Sequence, residues 1–312
     1  MKFASIDIGT NSILCLIAEY DNSKLQDLAD YAEIVRLGEG LSENKRFKPE
    51  AMDRALGALI RFNKEINNFN IPRDNIFIQA TEGMRKSSNS QEFIDLVKNK
   101  LDLKINIISG QTEAYLSFLG SINGLKNIIP DHGPYLIFDI GGGSTELILA
   151  QNQNEIQDSI SLNLGSVWLF EKYLASHDPP RKEDLNELNK EIESILNNYY
   201  KFFDKISLIV GLAGTITNLA SMDLKLEKYN PNLIHGHKLY KNNIKNILDK
   251  LKILKLSQRK KYPGLEPLRA DVILAGISIA IKILELSKRD YLITCDHGLR
   301  HGAIYNYLKN KK

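Results

Sequence analysis

The feature that most constrains the fold of this chain is an internal repeat whose two copies are separated by nearly half its length. Near the start, Ser5-Ile6-Asp7-Ile8-Gly9-Thr10-Asn11-Ser12 precedes an apolar run at 13–18, and Ile137-Phe138-Asp139-Ile140-Gly141-Gly142-Gly143-Ser144 precedes another at 145–150. Asp, Ile, Gly, Ser and a closing Ala coincide when the copies are aligned. Each copy predicts a strand, a tight glycine turn and a second strand. A repeat of this length indicates a duplicated domain rather than a solenoid of short units.

Short apolar runs alternate with helix-like segments along the rest of the chain. One helix is predicted after Pro49, with Leu56, Leu59, Ile60, Ile66 and Phe69 mainly on one face. Another is predicted after Pro179 and Pro180, where apolar residues from Leu185 to Tyr199 recur at helical spacing. This alternation favours an α/β fold. The predicted strands are 3–8, 13–18, 76–80, 105–108, 135–140, 145–150, 208–211 and 292–295.

The 312 residues predict about two domains at roughly 100–200 residues each. Residues 124–134 are polar and rich in turn formers, so the boundary is placed there. The expected domains are 1–124 and 125–297, with the C-terminal segment 298–312 packing back on the first. A hinge near 123–134 is a hypothesis based on this polar stretch.

Composition and charge exclude several classes of protein. Hydrophobic residues make up 43% and charged residues 25%, which is normal for a globular chain. A net charge of +3 is too weak to imply a nucleic-acid partner. Cys15 and Cys295 form no CxxC pair, so they predict buried thiols in a reducing compartment. With no secretory signal and no run of about 20 apolar residues, we expect a cytoplasmic protein without a membrane partner.

The repeated turns have the chemistry of a phosphate-binding site. Glycines let successive backbone N–H groups point into a concavity that can hold phosphate oxygens. Gly141, Gly142 and Gly143 supply such amides, Ser144 and Thr145 add hydroxyls, and an aspartate at the strand end can hold a hard cation. The first copy offers Asp7, Gly9, Thr10, Asn11 and Ser12. Two such turns facing across a cleft would form a phosphate clamp, whereas the alternative is a pair of ordinary β-hairpins.

A third glycine segment, residues 210–217, comes after a predicted strand and opens a predicted helix. Gly214 and Thr215 then lie at a helix N-terminus, which is a common anion site. The alternative is close packing of the helix on the strand by small residues.

With these residues in hand, the chain resembles the exopolyphosphatase / guanosine pentaphosphate phosphohydrolase family over essentially its whole length. The resemblance implies duplicated actin-like, ribonuclease H-like domains of the acetate and sugar kinase, heat-shock chaperone and actin superfamily. It also implies an active site in the interdomain cleft. Eight motifs in family order carry it: Asp7-Ile8-Gly9-Thr10-Asn11-Ser12; Ala80-Thr81-Glu82-Gly83-Met84-Arg85; Ser109-Gly110-Gln111-Thr112-Glu113-Ala114; Asp139-Ile140-Gly141-Gly142-Gly143-Ser144-Thr145-Glu146; Gly211-Leu212-Ala213-Gly214-Thr215; His235-Gly236; Arg269-Ala270-Asp271-Val272-Ile273-Leu274-Ala275-Gly276; and Asp296-His297-Gly298-Leu299-Arg300-His301-Gly302.

The resemblance also assigns roles. It implies that Glu113 positions and activates the attacking water, and that Arg85 grips phosphate. Hydrolysis of a phosphoanhydride needs an oriented water and charge neutralisation, so a carboxylate and an arginine are sensible there. Asp139 and Glu146, with Asp7 as a contributor, are the implied ligands of Mg²⁺, with K⁺ as a candidate helper. The implied phosphate-binding residues are Thr10, Asn11, Ser12, Arg85, Gly141, Gly142, Gly143, Ser144, Thr145, Gly214 and Thr215, and the candidate substrate contacts are Arg269 and Arg300.

The chain departs from the family pattern at two positions. Family members often carry a second glutamate where Thr112 stands, and an arginine where Tyr115 stands. The chain resembles the short form of the family, which lacks the added helical domains. The resemblance leaves inorganic polyphosphate and guanosine pentaphosphate as candidate substrates, with polyphosphate favoured, and either a monomer or a homodimer.

Several alternatives stay open at this point. The basic run from Lys238 to Lys261 fits either a polyanion-binding surface or a solvated helix face. The pairs His235/His237 and His297/His301 lack a third ligand, which favours structural roles over zinc. Rival functions are a kinase or ATPase of the same superfamily and a non-catalytic nucleotide-binding scaffold. Retention of Glu113 together with Asp139 and Glu146 favours catalysis.

Overall fold

The computed structural model describes residues 1–22 and 24–311, so Lys312, the last residue of the predicted segment 298–312, lies outside it. The chain divides into two compact units. Unit 1 contains residues 1–120 and the C-terminal residues from Leu299 onward, and unit 2 is Ser121–Gly298. The predicted domain division stays a prediction. Locally, the stretch 124–134 is less linker-like than predicted, because Leu125 is fully buried at a helix end and a strand begins at His132.

The strands of unit 1 form a five-stranded sheet with the order β3-β2-β1-β4-β5. They are β1 Lys2–Ile8, β2 Ser12–Asp21, β3 Lys24–Ile34, β4 Ile76–Ala80 and β5 Asn106–Ile107. The strands of unit 2 form a six-stranded sheet with the order β8-β7-β6-β9-β11-β10. They are β6 His132–Ile140, β7 Thr145–Asn152, β8 Glu155–Leu162, β9 Leu208–Leu212, β10 Lys238–Tyr240 and β11 Tyr291–Thr294.

The two sheets share a five-strand arrangement, to which unit 2 adds β10 as an antiparallel edge strand. In each, an antiparallel three-strand meander is extended by parallel strands on the side of its first strand. All eight predicted strands are present, although 105–108 contains only the two-residue β5. Strands β3, β8 and β10 were not predicted. Their exposed edge positions carry charged and polar residues, which interrupt the apolar runs on which strand prediction depends.

Helices occupy the connections between strands. The helices of eight or more residues are α2 Pro49–Asn68, α4 Ser90–Leu101, α5 Gly110–Leu125, α7 Lys182–Asn197, α8 Ala213–Asp223, α10 Lys241–Leu251, α12 Ile273–Leu286 and α13 Leu299–Asn310. The shorter ones are α1 Leu41–Asn44, α3 Glu82–Lys86, α6 Ser166–Leu169, α9 Pro231–Ile234 and α11 Leu256–Arg259. Single turns of 3₁₀ helix lie at Arg73–Asn75, Tyr200–Phe202 and Pro267–Arg269, and a π turn lies at Phe170–Leu174. No described helix combines the length and apolar character that crossing a bilayer requires.

The face of α2 differs in part from the predicted one. Leu59 and Ile66 are buried as predicted, but Ile60 is 48% exposed. Ala51, Ala55 and Ala58 share the buried face with them and with Phe62. Helix α7 agrees more closely with its prediction, with Leu188, Ile192 and Leu196 in the core of unit 2.

Helix α13 completes unit 1 from the far end of the sequence. Its Ile304 and Leu308 pack with Phe3, Leu16 and Ala18 of the sheet. The guanidinium of Arg300 donates to the carboxylate of Asp30 on β3, with an Nη2–Oδ2 distance of 3.1 Å and a second bond to Oδ1. Hydrophobic burial and a bidentate ion pair therefore hold this helix against the rest of the unit.

We predict that Gly302→Ala weakens this attachment. An alanine Cβ at position 302 would overlap the carbonyl oxygen of Leu116 in α5. Alanine gains about 1 kcal/mol in helix propensity over glycine, but overpacking of this kind costs roughly 1–3 kcal/mol and more when backbone must move. We expect the midpoint of thermal unfolding to fall by at least about 4 °C.

Gly298→Ala is the matched control, because a Cβ there meets no atom within 4 Å. Equal midpoints for Gly302→Ala and the native chain, measured by circular dichroism, would show that α13 tolerates displacement from α5.

Candidate active site

The two glycine turns predicted from the repeat have the same internal geometry. In unit 1, the amide of Gly9 donates to the carbonyl of Ser12 at 3.0 Å, and in unit 2 the amide of Gly141 donates to the carbonyl of Ser144 at 2.9 Å. A Cβ added to either glycine would lie 3.1 Å from that same carbonyl oxygen. Each turn therefore favours a residue without a side chain at this position.

The chain that leaves the third strand of each meander holds its turn in place. In unit 1, the carbonyl of Asn11 accepts hydrogen bonds from the amides of Val35 and Arg36, at 3.0 and 2.8 Å. In unit 2, the carbonyl of Gly142 accepts from the amides of Val167 and Trp168, at 2.8 and 3.2 Å. These hydrogen bonds hold the carbonyl groups of each turn in place, so the backbone of each turn has a defined conformation.

Asp139 and Glu146 lie side by side in unit 2. They are direct cross-strand partners in the antiparallel pair β6–β7, so their side chains leave the same face of the sheet. The turn between them removes the odd sequence offset that would put them on opposite faces of one strand. Two carboxylates at this spacing offer the oxygen ligands that Mg²⁺ prefers. The residues present therefore fit a divalent cation.

Two hydroxyl groups orient the carboxylate of Glu146. Its Oε1 accepts hydrogen bonds from Ser144 Oγ at 2.8 Å and from Ser161 Oγ at 2.7 Å. Glu146 is only 1% exposed, so this charged group depends on such donors. Ser161 is a site residue that sequence reasoning missed, since it lies on β8, a strand that was not predicted. The cross-strand position of Ser161 opposite Glu146 is the signal that identifies it.

Unit 1 lacks the equivalent carboxylate pair. Asp7 on β1 is the counterpart of Asp139, but its cross-strand partner on β2 is Leu14. Both units therefore have an aspartate before the glycine turn, whereas only unit 2 has a carboxylate, Glu146, opposite it. Between the two copies of the repeat, only the second sets two carboxylates opposite each other across its glycine turn.

Glu113 and Arg85 are brought together in unit 1. Glu113 lies in the first turn of α5 and is 8% exposed. Arg85, at the end of α3, donates from Nη1 to Glu113 Oε2 at 2.8 Å and to the carbonyl of Ile108 at 2.8 Å. The arginine therefore holds the carboxylate in a fixed position and balances its charge.

Glu82 is a second residue that sequence reasoning did not single out, although it lies inside one of the eight motifs. It begins α3, is 5% exposed, and accepts a hydrogen bond from Thr10 Oγ1 at 3.3 Å. Its other oxygen pairs with Lys86. Glu82 thus connects the first glycine turn to the short helix that carries Arg85.

Gly214, Thr215 and Arg269 form a second cluster in unit 2. Gly214 is in the first turn of α8, directly after β9, and the guanidinium of Arg269 occupies the space that a Cβ at position 214 would need. Burial lowers the pKa of Arg269 from its ordinary value. Ala213 has φ +66°, a conformation that costs a non-glycine residue energy and that is concentrated at functional sites. The cluster resembles an anion site at a helix N-terminus.

The remaining sequence candidates have mainly structural contacts. Arg300 is engaged by Asp30, and its role as a substrate contact stays a prediction. His235 Nε2 donates to the carbonyl of Gly124 at 3.0 Å, and its Nδ1 accepts from the amide of Asp296 at 3.3 Å. His237 pairs with Asp223 at 2.8 Å. These contacts favour the structural role of the first histidine pair.

Both cysteines are buried free thiols, and burial raises the pKa of Cys15 to about 12. Burial raises the pKa of the Cys295 thiol as well. Neither thiol therefore has the low pKa that a reactive cysteine needs.

Comparisons with known proteins bear on this site. The sequence matches the model of the Ppx/GppA phosphatase family over residues 16–311. A bifunctional 3-dehydroquinate synthase/phosphatase of Fusobacterium nucleatum is 37% identical over 99% of this chain and 47% of its own length, so the chain spans about half of that relative. Exopolyphosphatase 2 of Mycobacterium tuberculosis is 29% identical over 96% of this chain and 97% of its own length.

Among solved structures, the Ppx/GppA family member of Aquifex aeolicus is similar over 100% of this chain and 99% of its own, with 32% identity and a TM-score of 0.81. These comparisons confirm three predictions: the family, the duplicated actin-like fold and the class of phosphoanhydride hydrolase. The family match begins after the first glycine turn and includes the second, together with Arg85 and Glu113. This chain belongs to the Ppx/GppA phosphatase family.

Proposed function

We propose that this protein is an exopolyphosphatase, which releases terminal orthophosphate from inorganic polyphosphate by metal-assisted hydrolysis. The observation that carries the proposal is the buried carboxylate of Glu113, held at 2.8 Å by Arg85, in a chain of a phosphatase family. A solvated surface glutamate would need neither burial nor a fixed partner. The exopolyphosphatase relative of nearly equal length supports polyphosphate as the substrate.

In the proposed reaction, a water oxygen attacks the terminal phosphorus and the bridging P–O bond breaks. The products are orthophosphate and a chain that is one phosphate shorter. Glu113 orients the water and takes its proton, which a base within hydrogen-bond reach can do. Arg85 keeps the carboxylate aimed and is a candidate partner for negative charge on the phosphoryl oxygens.

The glycine turns supply the phosphate-binding groups. We assign Thr10, Asn11 and Ser12 in unit 1, and Gly141 to Thr145 in unit 2, to contacts with phosphate oxygens. Gly214, Thr215 and Arg269 add an anion site at the start of α8. Phosphoryl transfer depends mostly on positioning and charge neutralisation, so fixed turns of this kind supply much of what the reaction needs.

Phosphatases of this family are generally metal-dependent. We propose Mg²⁺, held by Asp139 and Glu146, and the contribution of Asp7 stays a prediction. A bound Mg²⁺ would neutralise charge that develops on the phosphate oxygens. Ser144 and Ser161 aim Glu146, and hydrogen-bonded partners of this kind tune ligand carboxylates.

Guanosine pentaphosphate is the second candidate substrate, because relatives from Vibrio atlanticus and Aliivibrio fischeri are named guanosine-5'-triphosphate,3'-diphosphate pyrophosphatase. Its terminal phosphoanhydride presents the same reacting groups to Glu113. The two candidates differ in the group attached beyond the third phosphate, which is more polymer in one case and a nucleoside in the other. Parallel assays with both substrates therefore decide between them.

The first prediction about the reaction concerns Glu113→Gln. Glutamine keeps the size and a hydrogen bond to Arg85 but cannot take a proton, so phosphate release should fall about a hundredfold or more while polyphosphate binding persists. Release is measured with Mg²⁺ on polyphosphate and guanosine pentaphosphate in parallel.

Glu50→Gln is the control, because Glu50 is an exposed glutamate in the first turn of α2 and tests the same loss of charge at a helix start. Turnover in Glu113→Gln equal to that in Glu50→Gln would contradict the assigned role. Tight binding with no turnover in the native chain would favour the non-catalytic scaffold.

The second prediction concerns Ser161→Ala. Loss of the hydroxyl removes one of two donors to Glu146, so the Mg²⁺ affinity should fall roughly 10- to 100-fold. Calorimetric titration of Mg²⁺ measures this directly. Ser159→Ala is the control, since Ser159 lies on the same strand and its hydroxyl has no hydrogen-bond partner among the described contacts. Equal Mg²⁺ affinities in the two variants would contradict the role of the Ser161 hydroxyl. Either Glu146 is then not a ligand, or the hydrogen bond from Ser144 is enough to orient it.

A further inference from the structure

A short segment of unit 2, residues 250–261, carries six basic residues and no acidic one. Two of the six are neutralised locally, because Lys252 pairs with Asp249 at 2.6 Å and Arg259 with Asp178 at 3.2 Å. The other four are exposed and have no carboxylate partner among the described contacts: Lys250, Lys255, Lys260 and Lys261. We call these four residues the lysine surface.

The backbone under the lysine surface is fixed. Helix α10 ends at Leu251, which is fully buried, and the amide of Leu254 donates to the Leu251 carbonyl at 3.1 Å. Asp178 then accepts from the amide of Leu256, at 2.7 Å, and from the guanidinium of Arg259, which is 3% exposed. The lysines therefore extend from an anchored framework rather than from a loose loop.

The charges of the lysine surface act together. Residues 255–261 form little more than one and a half helical turns, so their Cα atoms span about 9 Å along the axis. This is about one Debye length at physiological ionic strength. Three of the four unneutralised charges, those of Lys255, Lys260 and Lys261, lie within this distance, and Lys250 adds a fourth nearby in sequence. Such a group of like charges attracts a polyanion far more than a single phosphate.

The chemistry of the segment favours a phosphate polymer without bases. Its free charges are all lysines, which act as point charges toward phosphate, whereas its one arginine is buried and paired. Residues 250–261 include no aromatic residue, so they lack the stacking platform that single-stranded nucleic acids need.

We propose that the lysine surface binds inorganic polyphosphate at a distance from the reacting phosphate and thereby favours long chains. This inference rests on the proposed function, since it names which polyphosphates the enzyme prefers. Within unit 2 the surface is connected to the anion site at α8. The chain continues from Lys261 to Arg269, where the Glu266 amide donates to Asn218 of α8 at 2.7 Å and Arg269 covers Gly214.

Eight residue steps separate Lys261 from Arg269, so the two lie no more than about 30 Å apart. One long chain can contact both regions, and the second contact is then intramolecular, with a high effective concentration. Tripolyphosphate is too short to gain from it. The surface should therefore change the KM for long chains and leave the reaction of short ones alone.

The test replaces Lys250, Lys255, Lys260 and Lys261 together by glutamine. We expect the KM for long-chain polyphosphate to rise about tenfold or more, with a weaker salt dependence of KM. The kcat for long chains and both constants for tripolyphosphate should keep their native values. The control replaces four exposed lysines of unit 1, Lys64, Lys100, Lys104 and Lys309, and removes the same total charge.

Equal KM values for long chains in the two quadruple variants would overturn the proposal, as would an equal rise for tripolyphosphate. If the native protein hydrolyses no polyphosphate, the proposed function fails, and binding then tests the surface on its own. The affinity of the Glu113→Gln protein for long-chain polyphosphate should fall about tenfold with the lysine-surface changes. It should stay unchanged with the control changes. Single-stranded DNA is added as a competitor for polyphosphate binding. If it competes as well as polyphosphate does, compared per phosphate, the lysine surface is a nucleic-acid surface instead.

Discussion

The pairing of β6 with β7 is the constraint on which the rest of this site depends. A hairpin with a glycine at position 141 sets Asp139 opposite Glu146, and both carboxylates then face the same side. Ser161 on the adjacent strand β8 completes the arrangement by a hydrogen bond to Glu146. Three neighbouring strands are thus enough to place two carboxylates side by side and to orient one of them in the way a divalent cation would need. The precision of this placement comes from the backbone hydrogen bonds of the sheet.

Duplication gave the chain two copies of this hairpin, and the copies differ in the side chains they carry. The backbone bond that closes each turn is the same within 0.1 Å. The side chains differ, because Leu14 stands opposite Asp7 where Glu146 stands opposite Asp139. Unit 1 instead carries the paired Glu113 and Arg85 on helices that come after its parallel strands. The shared fold holds backbone groups in fixed positions, and side chains added to it supply the separate chemistry.

Sequence reasoning reached the glycine turns, the positions of most strands and most of the candidate residues, because these depend on local patterns. Ser161 was missed, since its partner Glu146 is 15 residues away and the strand that carries it, β8, alternates polar and apolar residues at a sheet edge. Glu82 was missed for a similar reason, because its contact with Thr10 joins residues 72 apart. Ile60 was predicted among the residues mainly on the apolar face of α2, but small alanines take the buried face and that isoleucine is exposed. Periodicity alone does not distinguish a helix that approaches a sheet through alanines from one that uses larger residues.

Helix α13 makes unit 1 discontinuous in sequence, and this has a consequence for the order of events during synthesis. The 178 residues of unit 2 are translated between Gly120 and Leu299. Until α13 emerges, the apolar patch of Phe3, Leu16 and Ala18 has no Ile304 or Leu308 to cover it, and Asp30 has no Arg300. Unit 1 therefore cannot complete its fold until all of unit 2 has been translated. For that interval the sheet of unit 1 presents an open hydrophobic face to chaperones and to other nascent chains.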